Sequence, residues 1–80
     1  MRLDKYLKVS RIIKRRTIAN EACDAGKVTV NGKIARASYD VKEGDEITVT
    51  LGTRAVRVQV VSVQETVAKS DAAGMYRVLS

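Results

Sequence analysis

The stretch RRTIANEACDAGKVTVNGK, residues 15–33, contains the change of secondary structure on which the fold turns. In its first half Ile18, Ala19, Ala22 and Cys23 recur at helical spacing and form an apolar stripe. Gly26 follows, where a helix commonly ends in a left-handed residue. From Lys27 the apolar period drops to 2: Val28 and Val30 flank Thr29, and Asn31-Gly32 is the strongest two-residue hairpin signal a sequence offers. A helix therefore runs directly into a short antiparallel hairpin.

Working outward from this stretch, Leu3, Tyr6, Leu7 and Ser10 share one face of an earlier short helix, with Lys5 and Lys8 opposite and Asp4 one turn before Lys8, in reach of a pairing. Arg11 to Lys14 form the junction between the two helices. On the other side, residues 40–45 read as a solvated acidic loop turning at Gly44-Asp45. Ile47, Val49 and Leu51 then face inward in a half-buried strand, with Thr48 and Thr50 facing out. Gly52 to Arg54 reverse the chain, and Val56, Val58 and Val60 supply an antiparallel partner. In the tail, SDAAGMY fits one helical turn, and YRVL either adds an edge strand or simply docks on the sheet. The pattern is α+β, with two N-terminal helices packed on a small antiparallel sheet. Residues 1–63 are expected to form the domain, and 64–80 an extension docked on it.

Eighty residues leave room for one small core. No apolar run approaches the roughly 18 residues a membrane helix needs. The charged N-terminus leaves no apolar stretch for a secretory signal, so a cytoplasmic protein is expected. The single Cys23 lies on an apolar helical face and reads as a buried small hydrophobe rather than a reactive thiol. There is no His, no carboxylate pair in an apolar pocket pattern and no EF-hand spacing among Asp40, Glu43, Asp45 and Glu46. Neither catalysis nor a metal or other cofactor is expected.

The charge distribution carries the functional signal. The net charge of +6 resides in residues 1–16, where Arg2, Lys5, Lys8, Arg11, Lys14, Arg15 and Arg16 stand against Asp4 alone. From Thr17 onward, acidic and basic residues cancel. A one-sided cationic block makes an oriented field of the kind that meets phosphate. Moreover, Lys14, Arg15 and Arg16 crowd the start of the second helix, an end already positive through its unpaired amides, with Thr17 the residue nearest to a cap. An anion there satisfies amides, dipole and side chains together, whereas a merely solubilising cluster has no reason to sit at that end. No glycine-rich phosphate loop follows a strand, and the apolar face of the first helix is too narrow for a lipid surface. With no Trp or Phe and three scattered Tyr, a structured RNA backbone read by shape is favoured over stacked single strands.

Four segments, RLDKYL (2–7), RRTIA (15–19), AGKVTVNGK (25–33) and VKEGDEI (41–47), resemble in order and spacing the S4 RNA-binding domain. The resemblance covers residues 2 to about 51 and implies two helices on a small, bent antiparallel sheet, with an RNA face formed by the helices and the hairpin. It places RNA contacts on Arg2 and Arg16, with Lys14, Arg15 and Lys33 beside them. Lys5, Lys8 and Arg11 add general attraction. Asp4 is then structural, orienting Arg2 or Arg16, and Asn31-Gly32 is a turn rather than an RNA contact. Many members have Ser where Arg15 stands, so here a cap is exchanged for a cation. MRLDKYLKVSR, IKRRT and the late MYRVL further resemble the short stand-alone bacterial members that act in ribosome quality control. That likeness implies a monomer bound to large-subunit rRNA and peptidyl-tRNA on obstructed large ribosomal subunits, holding the tRNA while an RqcH-like tailing factor adds alanine to the stalled chain. The alternative is a general rRNA-binding, recycling or assembly factor.

Overall fold

The computed structural model describes residues 1–79; Ser80, the last residue of the expected extension, lies outside them. Helix α1 spans Leu3–Val9 and α2 Arg16–Asp24. Five strands follow: β1 Val28–Val30, β2 Lys33–Ile34, β3 Glu46–Leu51, β4 Arg54–Val60 and, after a 3₁₀ helix at Lys69–Met75, β5 Tyr76–Val78. They form one antiparallel sheet in the order β2-β1-β3-β4-β5. The expected architecture is present; the tail forms the 3₁₀ helix across SDAAGM, longer than one turn, and of the two readings of YRVL the edge strand is the one found.

The passage from α2 to β1 is closed by backbone bonding. The Gly26 amide donates to the Cys23 carbonyl at 3.0 Å and the Lys27 amide to that of Ala22 at 2.9 Å, with Gly26 at φ +74°. These paired bonds satisfy carbonyls that the helix end leaves open, and the positive φ is one that glycine adopts without a Cβ clash. Asn31 and Gly32 both take positive φ, 53° and 84°, so that Val30 pairs with Lys33 across a two-residue turn whose twist suits the strands.

The register aligns the apolar residues in rows: Val28, Val49 and Val56 form one, and Val30, Ile47 and Val58 the next. Leu3, Tyr6 and Leu7 of α1 and Ala19, Ala22 and Cys23 of α2 join these residues in a single core. The small residues of α2 let its backbone approach α1 closely. Two expected core positions lie outside: Ile18 is 47% exposed and Leu51 42%. Ile18 falls on the flank of the narrow Ala19–Ala22–Cys23 stripe, and Leu51 ends β3 at the hairpin turn, past the last buried row.

The sheet's far edge is tied to the first helix. Tyr6 Oη donates to the Met75 carbonyl at 2.8 Å, and Met75 and Ala72 are buried. Cys23 is buried as expected; burial, helped by the negative charges of Asp4 and Asp24, pushes its thiol up to about 11. So little thiolate forms near neutrality that the side chain serves packing rather than nucleophilic chemistry.

Candidate nucleic-acid interface

The interface is organised around Asp4, a carboxylate in the first turn of α1 that is only 2% exposed. The backbone amides of Leu3 and Asp4 donate to the carbonyls of Tyr39 and Ala37 at 2.8 and 3.2 Å, which fixes the start of α1 against the 35–41 segment. From that position Asp4 Oδ1 accepts from the Lys5 amide at 2.8 Å and from Arg2 Nε at 3.1 Å. Its Oδ2 accepts from Arg2 Nη2 at 3.4 Å, Arg16 Nε at 3.4 Å and Asn20 Nδ2 at 3.2 Å. Burial pushes this carboxyl up, but the bonds from Arg2, Asn20, Arg16 and the Lys5 amide outweigh it and hold the group below its usual range.

Both arginines therefore spend Nε on Asp4 while about half of each side chain, 51% for Arg2 and 48% for Arg16, stays in solvent. Two guanidinium groups on one carboxylate leave net positive charge, held in a fixed orientation. Such a pre-ordered pair suits phosphate, because guanidinium donors form a planar fork that matches its oxygens. Asp4, Arg16, Thr17, Asn20 and Glu21 line a shallow hollow of about 370 Å³ at this point.

The surrounding cations divide by position. Arg15 is the N-cap of α2, and no side chain caps that helix; Thr17 stays exposed and does not fill the role. Arg16 opens the helix while Glu21 and Asp24 stand toward its other end, so its charges oppose the macrodipole along its length. Lys8, Lys14 and Arg11 are exposed, Arg11 at φ 64° in the junction between the helices. Lys33 is exposed on β2, beside the hairpin turn.

Several expectations from sequence need correction. Asp4 does not pair with Lys8: its side chain turns toward α2, where burial among polar partners outweighs an exposed pairing along one helix. Lys5, expected to stand unpaired on the charged face, has its ammonium paired with Glu65 of the tail. Asp45 is not solvated: it is 9% exposed and accepts from Asn31 Nδ2 at 3.1 Å, Tyr39 Oη at 3.0 Å and the Lys42 amide at 3.0 Å. Asn31 thus does more than turn the hairpin; its Oδ1 also accepts from the Glu46 amide at 3.0 Å. The sequence reading missed Asn20 as a partner of Asp4, although its place one turn after Arg16 on α2 was a usable signal. Among the described residues no group of His, Cys, Asp and Glu side chains is arranged to hold a metal ion, and no helix is long and apolar enough to cross a membrane.

Two helices on an antiparallel sheet, with arginines fixed at the helix starts, define an RNA-binding module of the S4 class: residues 1–47 match the model of the S4 domain, and the chain belongs to that family. Its relatives narrow the family further. The chain is 56% identical over 79 residues to the RQC P-site tRNA stabilizing factor of Bacillus subtilis, covering 99% of this chain and 92% of that protein. It is 54% identical over 78 residues to the RQC P-site tRNA stabilizing factor of Halalkalibacterium halodurans, covering 98% and 89% respectively. Among solved structures, the trimeric heat shock protein 15 of Vibrio cholerae superposes with a TM-score of 0.91 at 30% identity, over all of this chain and 82% of that one.

Proposed function

We propose that this chain is a non-enzymatic RNA-binding factor of ribosome-associated quality control. It binds large ribosomal subunits that still hold peptidyl-tRNA and steadies that tRNA in the P site while a partner tailing factor of the RqcH type extends the stalled chain with alanine. Full-length identity above half to proteins named for P-site tRNA stabilisation supports the reading. The single observation that carries the chemistry is Asp4 bonded to Arg2 and Arg16 together, which aims two half-exposed guanidinium groups outward. Phosphate of rRNA or tRNA docks on that pair, and Lys14, Arg15, Arg11, Lys8 and Lys33 extend the track. Lys5, paired with Glu65 on the exposed surface, adds general attraction. The protein acts as a monomer in the cytoplasm, where its subunit partner is found.

Sedimentation of tagged protein with ribosomes, followed by crosslinking and identification of the bound RNA and proteins, tests the reading. The expected result is enrichment on large subunits that retain peptidyl-tRNA. Uniform loading of all large subunits would indicate a general rRNA-binding or assembly factor instead.

A further inference from the structure

A second hollow, of about 660 Å³, opens between the β1–β2 hairpin and the segment that follows it. Its walls include Lys33 and Ile34 of β2, Arg36 and Tyr39. Ile34 is 71% exposed, an unusual placement for a large aliphatic side chain beside two exposed cations. Two of its walls share a partner: the buried Asp45 carboxylate accepts from Asn31 Nδ2 in the hairpin turn and from Tyr39 Oη. The segment that lines the hollow is also bonded to the start of α1: the Leu3 and Asp4 amides donate to the carbonyls of Tyr39 and Ala37, and Arg2 forms a β-bridge with Asp40. One backbone segment thus bonds to the start of α1, where Arg2 and Asp4 lie, and supplies Arg36 and Tyr39 to the hollow.

We propose that this hollow receives an unpaired nucleobase of the bound RNA. The base lies against Tyr39 and Ile34, its flanking phosphates meet Lys33 and Arg36, and the neighbouring backbone runs to Arg2 and Arg16. The size falls within the range of small-ligand sites, and an aromatic ring with flanking cations is the combination that holds extruded bases. The inference rests on the RNA-binding reading above and specifies which feature of the RNA is read. Sequence alone shows three scattered tyrosines; the fold sets one of them in a hollow with two cations, on a segment bonded to the start of α1.

The test uses the full chain and two RNA hairpins that differ only in one bulged nucleotide, with 5-iodouridine at the bulge for photocrosslinking. The wild type is expected to bind the bulged hairpin about tenfold more tightly than the fully paired one and to crosslink at Tyr39. Tyr39→Leu and the exposed Ile34→Ser should remove most of the preference, while Tyr39→Phe, which keeps the ring, should retain it. Equal affinity for both hairpins, or a crosslink mapping elsewhere, overturns the pocket. If in that case both hairpins still bind in a manner sensitive to Arg2→Ala and Arg16→Ala, the RNA-binding reading stands without it. Failure of either hairpin to bind through those arginines overturns both.

Discussion

Arg16 Nε lies 3.4 Å from Oδ2 of Asp4, so the first residue of α2 is held by a buried carboxylate in the first turn of α1. One contact does two jobs: it joins the helices, and it restrains the arginine proposed above to meet RNA phosphate.

Replacing Asp4 by Asn separates orientation from charge. The variant is one unit more positive, so charge alone favours tighter RNA binding. Loss of the shared anchor instead predicts weaker binding, together with about 1–3 kcal/mol lower stability, because polar groups around a buried site lose their charged acceptor. Titration of RNA binding alongside chemical unfolding checks both; an affinity gain would dismiss the positioning role.

Single Arg2→Ala and Arg16→Ala variants should each reduce the salt dependence of RNA binding by about one unit. Each arginine is half in solvent and Asp4 keeps its remaining donors, so stability should fall by only about 0.2–1 kcal/mol per substitution. The double variant should lose more than the two single losses combined, since the sites share one acceptor. Melting curves of the three proteins test the coupling.

Arg15→Ser restores a side-chain cap to α2 and removes a cation from its positive end. The free protein should gain about 0.5–2 kcal/mol, while RNA affinity declines. A melting temperature that is unchanged or lower would show that the uncapped end costs the fold nothing.

Acid should unfold the protein through Asp4 and Asp45. Burial pushes both carboxyls up, yet their hydrogen bonds hold both below the ordinary carboxylate range: Arg2, Asn20, Arg16 and the Lys5 amide around Asp4, and the Lys42 amide, Asn31 and Tyr39 around Asp45. A depressed native value means that the unfolded chain binds more protons. The stabilisation is complete above about pH 4, the unfolded value, and disappears as pH falls through the lower native values. Urea midpoints measured from pH 7 downward should be level at first and then drop, with the drop smaller in Asp4→Asn and Asp45→Asn.

Residues 64–80, proposed as an extension docked on the 1–63 domain, should be needed for its stability. Deleting them uncovers the core that Met75 and Ala72 close, and leaves the buried Tyr6 hydroxyl without its acceptor. Burial of Met75 alone is worth about 1.5–3 kcal/mol, so the truncated chain should melt well below the full one. Tyr6→Phe should cost only about 0.5–1.5 kcal/mol, since the Met75 carbonyl still accepts from the Val61 and Ser62 amides at 2.8 and 3.1 Å.

Local pattern was enough to read the two helices, the Gly26 stop, the Asn31-Gly32 hairpin and the alternation of β3 and β4, because each depends on residues within a turn or two of one another. The concentration of charge in residues 1–16 was equally legible, and with it the expectation of phosphate. Packing decided what spacing along one element leaves open. Asp4 had an in-helix partner by spacing, and only the approach of α2 made Arg16 and Asn20 better ones. Asp45 looked solvated until the hairpin turn and Tyr39 closed around it. Lys5 looked free until the tail brought Glu65 to it. In each case the deciding partner lies at least six residues away in sequence. Periodicity determines which way a side chain faces; which buried or charged group it meets there is determined when the elements pack.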